Sequence, residues 1–114
     1  MDIKVSNEDL FYVIAVNGDL DASSSIVLDD ALKQAFINNK KRILVDCSEL
    51  NYISSAGLGV FMSYLQEFED QRISIALFSV SSKIKDIFQI LGLDQLLTIA
   101  FSKEEAKLSI INET

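Results

Sequence analysis

The residues of this chain best placed to do chemistry are two adjacent serines, Ser54 and Ser55, followed by the small residues Ala56, Gly57 and Gly59. Ahead of them a β-branched-rich run, Ile43-Leu44-Val45, ends in Asp46-Cys47-Ser48. Beyond them Leu58, Phe61, Met62, Leu65 and Phe68 recur at helical spacing. The serines therefore fall at a helix start, where free backbone N–H groups and the positive end of the helix dipole accept an anion. A hydroxyl there can cap the helix or carry a phosphoryl group, and the small residues leave the helix start open to a close neighbour. Spacing alone favours the cap.

Other side chains invite weaker readings. Asp19 and Asp21 follow an apolar run and precede a helical pattern. They are either solvated loop residues that favour the next helix N-terminus or contacts for a partner beside Ser55. On the second reading, Asp21→Lys should weaken partner binding and leave stability nearly unchanged. Asp46, at a strand end, suggests a phosphoryl-accepting receiver. Such a domain needs an acidic pair after its first strand and two helices before its central one. Here two strands and one helix precede Asp46, and Asp29-Asp30 fall within a helical pattern. Asp46 is thus expected to shape its loop by accepting backbone N–H bonds. Cys47 has no basic neighbours and reads as a small, semi-buried residue. Lys83 and Lys85 read as a solvated face.

With no His and one Cys, classical zinc sites, Ser-His-Asp triads, Cys-His dyads and a disulfide are excluded within this chain. No Gly-rich phosphate loop of the Gly-x-Gly-x-x-Gly type occurs. The chain is therefore expected to be no enzyme and to need no cofactor or metal.

The elements that must position these residues can be read from apolar periodicity. Ile3 and Val5 suggest an edge strand, Ser6 to Asp9 a turn, and Leu10 to Val16 a buried strand ended by Asn17-Gly18. Leu28, Leu32, Ala35 and Phe36 predict a helix over about 24–38 with a cap among Ser23, Ser24 and Ser25. Asn38-Asn39-Lys40-Lys41 closes it, the cations favouring the negative end of its dipole. A strand at 43–45, a polar loop anchored by Tyr52 and Ile53, and a helix over about 56–69 follow. Then come a strand at 73–80, a helix from Ser81-Ser82 to Gly92, and a strand at 97–100. A closing helix capped by Ser102 and Glu105 runs through Leu108 and Ile111. The order β-β-α-β-α-β-α-β-α describes one α/β domain over residues 1–114. Its sheet should be mixed, mostly parallel with an antiparallel N-terminal edge, and packed with about four helices.

The segment from Asp46 to Gly59 resembles the signature of the STAS domain and, within it, of the bacterial anti-sigma factor antagonists. Asp46, Leu50, Tyr52, Ile53, Ser55, Gly57, Leu58 and Gly59 match it. Gly18-Asp19-Leu20-Asp21 resembles the Gly-Glu-Leu-Asp loop of that family, and Ile87-Phe88 through Leu91-Gly92-Leu93 its late helix. The resemblance implies a protein-binding switch. A cognate anti-sigma factor, itself a serine kinase, binds the unphosphorylated form and phosphorylates the serine aligned with Ser55, and a serine phosphatase resets it. It also implies a partner surface of Asp19, Asp21, Ser54, Ser55, Ala56, Gly57 and Gly59. Two positions depart from the pattern. Ser54 replaces the usual aspartate and is an alternative phosphoacceptor, and Ala56 replaces a hydroxyl residue. The rival within the family is a scaffold that docks its partner constitutively.

Seventeen acids against 10 bases give a net charge of −7. Free nucleic acid is expected to be repelled, whereas a basic protein partner is attracted. The longest apolar run, Leu10 to Val16, is too short to cross a bilayer, which takes about 20 residues. The start, Met1-Asp2-Ile3-Lys4, lacks a signal-peptide pattern. A cytoplasmic protein that does not bind membranes is expected.

Overall fold

The computed structural model describes residues 2–111. The elements run β1 (Asp2–Glu8), β2 (Phe11–Leu20), α1 (Ser25–Ile37), β3 (Arg42–Asp46), β4 (Leu50–Ile53), α2 (Ser55–Asp70), β5 (Ser74–Phe78), α3 (Ser82–Ile90), a 3₁₀ turn (Leu93–Gln95), β6 (Thr98–Ala100) and α4 (Lys103–Ile110). The sheet order is β1-β2-β3-β5-β6, with β4 paired to β2 alone. Among the described residues only β1 and β2 run antiparallel, in a hairpin that sets Glu8 opposite Phe11; the remaining pairings are parallel. The expected mixed α/β layering is the observed one.

Alternation along the strands divides the core in two. Ile14, Val16, Ile43, Val45 and Leu77 point to the face covered by α1, α2 and α3, where they meet Leu28, Leu32, Phe61, Phe68, Ile84 and Phe88. Phe11, Val13, Leu44, Ala76 and Phe78 point to the other face, which α4 covers with Ala106 and Ile110. Fully buried leucines such as Leu28 and Leu32 each contribute about 1.5–3 kcal/mol of burial free energy. Tyr64 of α2 pins α1 by donating its hydroxyl to the Asp29 carboxylate at 2.9 Å. Burial and that bond push the Tyr64 hydroxyl up to about 12.

Several sequence expectations are corrected. β1 extends through Ser6 to Glu8, and the turn is Asp9-Leu10. β2 does not stop at Gly18. Gly18 takes φ 107°, a conformation closed to most side chains, and the pairing register shifts between Gly18 and Asp19. This bulge carries β2 from its partner β3 (Tyr12 to Ala15) to β4 (Gly18 to Leu20). The segment expected as a polar loop is strand β4. Of its supposed anchors, Ile53 is buried but Tyr52 is 51% exposed. The lysines do not serve the end of α1. Lys40 Nζ donates to Asn7 Oδ1 at 3.3 Å, and Lys41 Nζ donates to the Gln71 carbonyl beyond α2 at 3.1 Å. In α4 the buried pair is Ala106 and Ile110, whereas Leu108 and Ile111 are exposed.

Candidate functional site

The end of β2, the end of β4 and the first turn of α2 form one surface. Asp19 pairs with Tyr52 and Leu20 with Ile53. Beyond the pairing, the Ser54 N–H donates to the Leu20 carbonyl at 2.8 Å, so the Asp19–Asp21 loop and the serine pair are joined through the backbone. The connection from β4 into α2 is the single residue Ser54. Ser54 is extended (φ −90°, ψ 171°), and its Oγ accepts from the Gly57 N–H at 3.2 Å, which makes it the N-cap of α2.

With the cap supplied by Ser54, Ser55 has no structural task. It is the first helical residue, it is exposed, and its hydroxyl makes no hydrogen bond among the described residues. Ala56 and Gly59 are exposed beside it. Gly57 is buried, contrary to the expectation that its smallness opens the helix start to a neighbour. A β-carbon there would come within 2.7 Å of Leu20 Cγ and 3.1 Å of Ile53 Cγ1, so its lack of a side chain serves an internal contact.

Asp21 is also more than a solvated loop residue. Its Oδ1 accepts from the Ser23 N–H (3.0 Å), the Ser23 hydroxyl (2.8 Å), the Ser24 N–H (3.0 Å) and the Ser24 hydroxyl (3.0 Å). These bonds, led by the one from the Ser24 backbone, hold its carboxyl down to about 2. The Ser24 hydroxyl lies 2.8 Å from the Asp19 carbonyl. It therefore ties the loop together and makes no side-chain cap of α1. Because Asp21 organises this entry into α1, a lysine there removes those bonds, and stability cannot stay unchanged. Asp19 is exposed at the bulge.

Asp46 behaves as the sequence suggested, its Oδ1 accepting from the Ser48 N–H at 3.0 Å. Cys47 is buried at 1% exposure, deeper than expected. Burial first, and Asp46 beside it second, push its thiol up to about 12, which leaves it no nucleophile. Among the described residues no group of three or more acidic, Cys or His side chains could hold a metal ion.

The site's charge is one-sided. No Lys or Arg occurs between Lys4 and Lys33 or between Arg42 and Arg72, so neither loop carries a cation of its own. Sequence reasoning missed exposed apolar side chains near these loops. Tyr52 stands opposite Asp19, and Ile26 (71% exposed) and Val27 (43%) open α1 just after the Asp21 loop. The signal was present: Ile26 and Val27 lie off the Leu28–Leu32–Ala35 stripe. Exposed aromatic and aliphatic groups within a polar rim are the usual anchors of protein interfaces.

The family model described as "Mlab, STAS domain" matches residues 3–98. The anti-sigma-B factor antagonist of Staphylococcus aureus (strain NCTC 8325 / PS 47) is 27% identical over 99 residues, covering 87% of this chain and 92% of that protein. The fold is shared with an anti-sigma factor antagonist from Mycobacterium paratuberculosis at TM-score 0.88 and 15% identity, covering 97% and 94% of the two chains. It is also shared with the Bacillus cell fate determinant SpoIIAA in its phosphorylated form, at TM-score 0.71 and 21% identity over 96% and 99%. With the sheet order, the bulge at Gly18 and the serine-led start of α2 already in place, the match over residues 3–98 settles the family: this chain belongs to the STAS domain family.

Proposed function

We propose that this protein is an anti-sigma factor antagonist whose partner face is the surface around Ser55, switched off by phosphorylation of that serine. The observation that carries the reading is the division of labour between the two serines. Ser54 caps α2, whereas the Ser55 hydroxyl is exposed and unbonded. A kinase can take Ser55 without unmaking a cap, so Ser55 is preferred to Ser54 as the acceptor. The names of the relatives, and a neighbour of the same fold solved in a phosphorylated form, support the assignment.

The partner surface comprises Asp19, Asp21, Ser54, Ser55, Ala56 and Gly59, with Gly57 shaping it from beneath. The partner is an anti-sigma factor of the serine-kinase type, and a serine phosphatase restores the hydroxyl. Phosphorylation adds about −1.5 to −2 charges. The nearby backbone N–H groups tolerate that charge in the free protein, but neither loop offers a cation to pair with it. Pressed into an interface shaped for a hydroxyl, the charge is desolvated, at a cost of several kcal/mol.

The test is to bind the wild type, Ser55→Ala and Ser55→Asp to one cognate anti-sigma factor and to map phosphate after incubation with ATP. Ser55→Ala should bind constitutively and Ser55→Asp weakly, with phosphate on Ser55 of the wild type. If Ser55→Asp binds like the wild type and Ser55 stays unmodified, the protein is a constitutive STAS scaffold instead.

A further inference from the structure

The strand path β1-β2-β3-β5-β6 ends in two unlike edges. On β1 the charges Asp2 and Lys4 are exposed, and charges on an edge discourage another strand from pairing there. β6, paired among the described residues to β5 alone, carries no such guard. From Gln95 to Ser102 the sequence has no charge, no Pro and no Gly. Two large apolar side chains bracket the strand, Leu96 before it at 60% exposed and Phe101 after it at 84%. Phe101 precedes Ser102, the N-cap of α4, where an apolar residue often folds back onto the fourth helical residue, here Ala106. Its exposure shows that it takes no such internal partner. At the other end of the strand, Leu96 forms one wall of an apolar groove of about 730 Å³, whose other walls include Met62, Leu65 and Ile75.

Charge favours one occupant for this edge. The chain carries −7 overall, yet residues 79–111, which build α3, the 3₁₀ turn, β6 and α4, hold four lysines against four carboxylates. This is the neutral part of an acidic molecule. A basic partner is drawn to the acidic remainder, whereas a second copy, itself acidic, meets the least repulsion here. We propose that two copies of this chain associate through β6, the two strands pairing antiparallel about a two-fold axis and joining both sheets into one. Antiparallel pairing carries Phe101 of each copy to the Leu96 end of the other, so an exposed aromatic ring meets the mouth of an apolar groove twice. The same patch serves both copies, as a two-fold contact requires. A strand of three residues supplies few hydrogen bonds. The bracketing side chains therefore carry most of the affinity, and the dimer belongs to the small, reversible class of interfaces. β3 and β5 separate β6 from β2, so the surface around Ser55 stays free and the dimer stands independently of the switch proposed there.

The test is sedimentation equilibrium of the full chain at concentrations up to about 500 µM, with amide chemical shifts followed over the same range. The mass should rise from one chain to two with a dissociation constant in the micromolar range, and the concentration-dependent shifts should cluster at residues 96–102. Phe101→Ser and Leu96→Lys alter side chains already exposed in the single chain. Each should keep the melting temperature of the dilute protein and weaken dimerisation roughly tenfold or more. Val5→Lys, on the opposite edge, should leave the dimer unchanged. A single-chain mass throughout would overturn the proposal. So would a dimer that survives both Phe101→Ser and Leu96→Lys, or one that Val5→Lys alone disrupts.

Discussion

Gly57 lies so close against Leu20 that a β-carbon at position 57 would stand 2.7 Å from Leu20 Cγ and 2.8 Å from its Cδ2. This contact, with the bond from the Ser54 N–H to the Leu20 carbonyl, fixes the start of α2 against the loop that carries Asp19 and Asp21. The glycine is a spacer between two parts of one surface.

Gly57→Ala should therefore destabilise the protein by about 1–3 kcal/mol through overpacking. Gly59→Ala, with nothing within 4 Å of the added carbon, should gain roughly 0.5–1 kcal/mol from helix propensity. Chemical denaturation of the two variants checks the contrast, and equal effects would remove the spacer role.

Ser54→Ala deletes the oxygen that accepts from the Gly57 N–H, and loss of such a cap costs about 1 kcal/mol. Ser55→Ala removes a hydroxyl without a partner and should change stability by less than about 0.5 kcal/mol. Thermal unfolding of both proteins separates the structural serine from the free one.

The Asp21 carboxyl is held below its ordinary value, down to about 2. A depressed folded-state value means that the ionised form stabilises the fold. That contribution is complete above the unfolded value near 3.8 and is lost as pH falls toward 2. Asp21→Asn should thus lower the melting temperature at pH 7, and the gap to wild type should close between about pH 4 and pH 2. A gap that stays constant down to pH 2 would mean that the Ser23 and Ser24 bonds do not favour the charged form.

Cys47, buried and with its thiol pushed up to about 12, should resist alkylation by iodoacetamide at pH 8 in the native protein and react fully in denaturant. Its labelling rate should track the unfolded population across a urea series. Rapid labelling in native buffer would contradict the burial.

Much of this architecture was legible from periodicity. The stripe Leu28–Leu32–Ala35 gave α1 within a residue at either end, and the caps at Ser81 and Ser102 accept from Ile84 and Glu105 as their spacing implied. What escaped has physical reasons. In β4, Leu50 and Ile53 are buried and Asn51 and Tyr52 exposed, so the strand lacks the alternation that marks one. Gly18 reads as a terminator because positive φ usually ends a strand, yet here it makes a bulge that extends one. In α4 the buried stripe is Ala106 and Ile110, and alanine carries too little apolar signal to outweigh Leu108. At the site the serine pair was legible, but which serine caps depended on backbone geometry. The internal role of Gly57 depended on Leu20, a residue distant in sequence.

The two faces of the sheet are unequally covered, three helices against one, and this bears on how the molecule breathes. α4 is eight residues long and closes its face with Ala106 and Ile110, assisted by the Lys103 and Lys107 pairs to Glu8. Its own buried side chains are Ala106 and Ile110, so its amides should exchange with deuterium by a local opening below the free energy of global unfolding. The central strands β2, β3 and β5 should exchange only when the whole domain opens. The opening that exposes Leu44, Ala76 and Phe11 thus begins on the side away from the helix that presents Ser55, and the switch surface keeps its shape while the opposite face flickers.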